Sequence, residues 1–254
     1  AYVEACGADF LKANAFRVFQ FIGSPEFDGQ GKIVLGTAEG GVQVTLFRLN
    51  ELDLDHIYVN QNEPFREHAK LPLDLNYWYF HTMHHEFCHI LTQKKYYSTD
   101  FQTISAGKYH STDWINVEDE DAVKEGFVTG YASGEYNEDF AEVYANYVTS
   151  SDESWEARLD KGIEYTVTGL NAKGETIQVA FWGLPTNAQL AGAGFASVKG
   201  AKITSREGAN IINAKLEIVR SYLQDSWGID LEKLRAIVLR RSAEVMNMDL
   251  TTLN

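Results

Sequence analysis

Residues 85–89 read His85-Glu86-Phe87-Cys88-His89, inside a stretch where Leu75, Trp78, Tyr79, Met83, Phe87, Ile90 and Leu91 recur at helical spacing. That period predicts one helix over Asp74 to Gln93, buried on one side, with Pro72 and Asp74 as start signals. On a helix, positions i and i+4 share a face one turn apart. His85 and His89 can then reach one Zn²⁺ at roughly 2.0–2.1 Å. Glu86 points beside the metal, where it can take a proton from a zinc-bound water. The bland alternative is an exposed turn with solvated side chains, and the apolar stripe argues against it.

A catalytic zinc needs a third protein ligand and an open fourth position. One common arrangement adds Gly and His downstream of the second histidine, but those positions hold Thr92 and Lys95. The other takes a Glu from a later helix. Asn137-Glu138-Asp139-Phe140-Ala141-Glu142 opens an apolar-periodic run through Val143, Tyr144, Tyr147 and Val148. Glu138 is assigned to the metal, and Glu142, four residues on, to an N–H of a ligand histidine. An acidic helix start is the competing reading, since carboxylates favour the first turn. Cys88 projects to another face than the histidines and reads as a small buried residue. His81 lies on the His85 face, but about 12 Å along the axis from His89, so it reads as a cleft-wall or packing residue. His84 projects about 100° away from His85 and does not read as a ligand.

The segment Gly130-Tyr131-Ala132-Ser133-Gly134-Glu135-Tyr136-Asn137-Glu138-Asp139-Phe140-Ala141-Glu142 resembles the third-ligand segment of anthrax-toxin lethal-factor-type zinc peptidases. Those carry a Tyr seven residues before the ligand Glu, as Tyr131 precedes Glu138. The resemblance implies that Tyr131 stabilises an oxyanion. A closer likeness is to the substrate-import-associated zinc metallohydrolase lipoproteins of Bacteroidetes, a family of zinc-binding metallopeptidases. It rests on His84-His85-Glu86-Phe87-Cys88-His89, on Glu138-Asp139-Phe140-Ala141-Glu142 and on Gly36-Thr37-Ala38-Glu39-Gly40-Gly41. The C-terminal helical pattern from Lys215 to Leu239 resembles that family too. Cys88, where Gly is usual, and the segment 160–207 depart from the pattern. The resemblance implies an outer-membrane lipoprotein of the cell envelope, facing the periplasm or the surface, with import machinery as a partner.

Composition sets the outer limits. The 254 residues are 44% hydrophobic and 13% aromatic, enough for a sizeable core. A formal charge of −14 argues against nucleic acid and against anionic membrane surfaces as partners. The run Glu118-Asp119-Glu120-Asp121 reads as a solvated loop or helix start. Two cysteines, Cys6 and Cys88, make no disulfide framework. No apolar run is long enough for a transmembrane helix, and no signal peptide is seen; the start at Ala1 reads as processed or truncated.

The expected order begins with a helix or extended arm over residues 8–20. Strands follow at Lys32–Gly36 and Val42–Leu49, turning at Glu39-Gly40-Gly41, and a short one at His56–Asn60. A long connection over 94–130 holds a short helix near Asp121–Glu125, and the third-ligand helix spans about 138–150. A hairpin is expected from Glu164–Thr168 and Thr176–Phe181 around Asn171-Ala172-Lys173-Gly174. Residues 183–208 read as loop, then helices at 209–225 and 230–246, with Gly228 between them and Asp230 as N-cap. This is one α+β, zincin-like domain, 1–254. It has a small sheet, the active-site helix, a mainly helical C-terminal part and an insertion at about 160–207. Val42–Phe47 or His56–Asn60 is the expected cleft-edge strand. The 160–207 segment is either a cover over the cleft or a surface ornament. The expected function is peptide-bond hydrolysis with one Zn²⁺ on a peptide or protein substrate. His85, His89 and Glu138 would be the ligands, Glu86 the general base and Tyr131 the oxyanion donor. A non-catalytic binding module and a non-peptide amide hydrolase are the alternatives.

Overall fold

The computed structural model describes residues 1–39, 42–65 and 72–249. Two short helices, α1 (Tyr2–Cys6) and α2 (Ala8–Asn14), lead into strand β1 (Val18–Phe21). β2 (Glu26–Phe27) and β3 (Ile33–Val34) pair as a small antiparallel ribbon. β4 (Gly36–Glu39) and β5 (Gln43–Leu46) form an antiparallel pair, whereas the expected first strand, Lys32–Gly36, lies mostly in β3 on the β2 ribbon; Gly40 and Gly41 lie outside the described residues. The sheet order is β1-β5-β4, with β1 parallel and β4 antiparallel to β5.

Both guesses for the cleft-edge strand need correction. β5 is the central strand, paired on both sides, because the arm before it contributes β1. Residues 56–60 form no strand; Tyr58 makes only an isolated bridge to Asp74. The edge that packs on the motif helix is β4.

The motif helix starts where Asp74 accepts the N–H groups of Asn60 and Asn76, each at 2.9 Å. Its first turns, Asn76–His81, are wound as a π-helix, and α3 (Thr82–Lys94) continues from them. Two hydrophobic clusters flank it. Val44, Leu46, Leu73, Leu75, Trp78 and Tyr79 join the sheet to the π-helical turns. Phe87, Ile90 and Leu91 join the main core.

The long connection is more structured than expected. It holds α4 (Asp100–Ile104), a 3₁₀ turn at Ser111–Asn116 and α5 (Asp119–Glu125), whose first turn is the acidic run. α6 (Tyr136–Thr149) starts two residues earlier than predicted, because Glu135 caps it by accepting the Glu138 N–H at 3.0 Å. Residues 139–149 of α6 are all buried, as expected of a helix enclosed on every side. Each large apolar side chain it buries, such as Phe140 or Tyr144, contributes about 1.5–3 kcal/mol.

α7 (Asp152–Asp160) was missed; its polar sequence buries Trp155 and Leu159, and Ser151 caps it. β6 (Glu164–Leu170) and β7 (Thr176–Trp182) form the expected hairpin. The stretch read as loop contains α8 (Asn187–Gly192) and a third strand, β8 (Ser197–Ser205), giving the order β7-β6-β8. β8 is almost wholly exposed, so no apolar alternation marked it in sequence. α9 (Glu207–Trp227) and α10 (Leu231–Val245) follow as predicted, with Asp230 accepting the Lys233 N–H at 3.0 Å. The fold is α+β, with small sheets around a mainly helical body. Among the described residues no helix is long and apolar enough to cross a membrane.

The β7-β6-β8 sheet leaves and rejoins the body at one point. The Ala209 N–H donates to the Gly162 carbonyl, and a Cβ on Gly162 would stand 2.7 Å from that nitrogen. Hydrogen bonds from the sheet's loops return to Asp160 and Ile163. No described hydrogen bond from residues 164–205 reaches α3, α6 or Tyr131, so the expectation of a cover over the cleft gains no support from them.

Candidate metal centre

α3 and α6 pack against each other, and the polar edge of that contact collects the residues singled out in the sequence. The Nε2 atoms of His85 and His89 lie 3.0 Å apart. The Oε2 of Glu138 lies 3.0 Å from the first and 3.3 Å from the second. Donors at about 2.1 Å around a tetrahedral zinc stand roughly 3.4 Å from one another, so this triangle fits such an ion with modest opening. One imidazole pair and one carboxylate is also a donor set that suits zinc. Each of the three side chains offers one ligand atom, all within 4.8 Å of one another.

The other nitrogen of His85 is occupied. Its Nδ1 lies 2.8 Å from Oε1 of Glu142. The same Oε1 lies 2.8 Å from Nε2 of His81. Oε2 of Glu142 accepts from the Thr129 hydroxyl at 2.8 Å and from the Asn146 amide at 3.2 Å. The polar partner of His81 was missed in sequence, where spacing to the other histidines had been the only criterion. His81 also stacks on Tyr77, ring centroids 6.3 Å apart at an interplanar angle of 20°.

Burial disfavours charge on every group here, and proximity reverses it for some. Burial lowers the pKa of His85, but hydrogen bonds to Glu138 and Glu142 outweigh it and raise the value well above that of an ordinary imidazole. Glu138 is held well below the usual carboxylate range, because His85 and His89 overcome its desolvation. Glu142 is lowered too, with His81 and His85 overcoming burial. Both carboxylates therefore stay anionic and face imidazole nitrogens, an arrangement that favours a bound cation.

Glu86 behaves differently. Desolvation raises its pKa, only partly countered by His85 and His89, and among the described residues no side-chain hydrogen bond ties it down. That leaves a carboxylate beside the triangle whose basicity exceeds that of a solvated one. Tyr131 sits on a 3₁₀ turn (Tyr131–Ser133), its ring centroid 5.9 Å from that of His85. Burial and the charge of Glu138 push its phenol far up, so it remains a proton donor. Trp114 braces it edge-on at 4.9 Å. Gly130 allows the close approach: a Cβ there would stand 2.0 Å from the Val117 carbonyl oxygen.

The two other candidates lie elsewhere. Cys88 is 1% exposed within the main core, its thiol pKa raised by burial. His84 bonds the Tyr2 hydroxyl through Nδ1 at 3.2 Å, and burial pushes its pKa down to about 3. Neither belongs to the triangle. Cys6 and Cys88 are both free thiols.

Comparison with known proteins places this geometry in context. The profile of the family described as "Putative zinc-binding metallo-peptidase" matches residues 1–232. Among solved structures, one titled a "putative zinc-binding metallo-peptidase" from Bacteroides caccae is 31% identical and superposes with a TM-score of 0.62. That match covers 100% of this chain and 75% of the other. No curated protein matches the chain.

Proposed function

The chain belongs to the family of zinc-binding metallo-peptidases just described, and from that premise we propose that it hydrolyses peptide bonds with a single zinc ion. The observation that supports this most strongly is the triangle of His85, His89 and Glu138, with Glu86 and Tyr131 beside it. These three side chains would hold the ion. When bound, zinc supplies Lewis acidity, lowering the pKa of a water and polarising a carbonyl.

The chain's own residues would do the rest. Glu86, held basic by desolvation, accepts the proton of the attacking water and delivers it to the departing amine. Tyr131, kept protonated by burial and by Glu138, donates its phenol hydrogen to the carbonyl oxygen as negative charge grows there. Glu142 accepts from His85 Nδ1 and so keeps Nε2 of that ring available for the ion. An extended substrate would add along β4, the sheet edge packed on the motif helix, by main-chain hydrogen bonds.

The test is digestion of an unbiased peptide library, read by mass spectrometry, with zinc-loaded and chelator-treated protein. The expected result is cleavage at peptide bonds that chelator removes and zinc restores. Intact peptides with zinc-loaded protein would overturn the reading in favour of a binding module or a different amide.

A further inference from the structure

We infer that His81 is a positioning residue of the metal centre, fixing the Glu142 carboxylate and, through it, the ring of His85. This rests on the proposed ligand role of His85, His89 and Glu138.

Oε1 of Glu142 lies 2.8 Å from Nδ1 of His85 and 2.8 Å from Nε2 of His81. An ionised carboxylate only accepts hydrogen bonds, so both imidazole nitrogens must be donors. A single His85–Glu142 bond would leave the carboxylate free to turn about its last torsion, and the His85 ring free to turn with it. A second donor on the same oxygen removes the first freedom. Thr129 and Asn146 pin the opposite oxygen, so the carboxylate is held at both ends. With Glu142 fixed as acceptor, the His85 ring is held through its Nδ1–H with Nε2 turned toward Glu138 and His89.

The backbone is shaped to bring His81 there. It is the last residue of the π-helical segment Asn76–His81, and α3 begins at the next residue. π-helical turns are rare and are frequent at functional sites. His81 and Glu142 are 6% and 4% exposed, so their bond is sheltered from water and strong enough to orient a neighbour. The bland alternative is a space-filling ring stacked on Tyr77. The two differ in what a shape-preserving apolar replacement does.

The experiment compares wild type with His81→Leu, His81→Gln and His81→Asn. Gln can present an amide N–H near the position of Nε2; Leu cannot donate, and Asn is too short to reach Oε1. Two quantities are read: zinc affinity, by competition with a chromophoric chelator, and the His85 Nδ1–H signal in zinc-loaded protein, whose downfield shift and slow exchange report its bond to Glu142, by proton–nitrogen NMR. The expected result is a loss of affinity of about 10–100-fold in His81→Leu, with the His85 Nδ1–H signal shifted upfield and exchanging faster. His81→Gln should stay close to wild type in both readouts. His81→Asn, which keeps a polar group in the pocket, should behave like Leu and carries the test if the Leu variant does not fold. Equal zinc affinity and an unchanged His85 Nδ1–H signal in the Leu or Asn variant would overturn the inference alone. Failure of the wild type to bind zinc would overturn the ligand reading, and this inference with it.

Discussion

Asp139 and Lys215 form an ion pair of 2.6 Å with both side chains wholly buried, joining α6 to α9 one residue after Glu138. The Tyr109 hydroxyl donates to the same Asp139 oxygen at 2.9 Å, and Lys215 donates to the Gly126 carbonyl at 2.7 Å. Burial pushes the Asp139 carboxyl up to about 6 despite Lys215, and lowers the Lys215 ammonium despite Asp139, so each charge depends on the other. Lys215→Met should therefore destabilise the protein by about 3–5 kcal/mol, the usual result of leaving one buried partner behind. The double variant Lys215→Met, Asp139→Leu should recover a large part of that loss. Denaturant unfolding measures both. A Lys215→Met protein as stable as wild type would show that the pair does not anchor α6.

Glu86 is expected to act in turnover and not in metal binding. Glu86→Gln should bind zinc and unfold at the same temperature as wild type, while kcat falls by roughly 10²–10⁴-fold. Zinc analysis, thermal unfolding and peptide cleavage separate these properties. Wild-type turnover in this variant would end the general-base assignment.

Tyr131 should contribute mainly in the transition state. Its phenol is held protonated, and its proposed role is to donate to a carbonyl oxygen that becomes negative as water adds to it. Tyr131→Phe should lower kcat by roughly 10²–10³-fold with KM little changed. A rise in KM with unchanged kcat would assign Tyr131 to substrate binding instead.

Much of this site was readable because local periodicity carried it. His85 and His89 are one helical turn apart, and Glu138 and Glu142 another, so each pair is fixed by its own helix. The capping of α10 by Asp230 and the β6–β7 hairpin were equally local. What escaped depended on distant pairing or on exposed, polar sequence. β1 becomes a strand by lying parallel to β5, which made β5 central and misplaced the cleft edge. β8 faces solvent along nearly its whole length and so shows no apolar pattern. The bond of His81 to Glu142 crosses between two helices, and nothing in the spacing of the histidines announces it.

The β7-β6-β8 sheet offers a further test. Its two chain ends meet where Ala209 bonds Gly162, so joining residues 162 and 207 through a short Gly-Ser linker should leave the body intact. Zinc affinity and the cleavage profile of a peptide library are expected to stay unchanged. A broader profile, with the fold preserved, would restore the reading of the segment as a cover over the cleft.

The most direct test of the account is a crystal structure of zinc-loaded protein, with data collected on either side of the zinc absorption edge. A single anomalous peak is predicted within about 2.0–2.2 Å of His85 Nε2, His89 Nε2 and a Glu138 carboxylate oxygen, with one coordination position left to solvent. A peak held by other residues, a closed four-residue shell, or no peak at full zinc loading would contradict it.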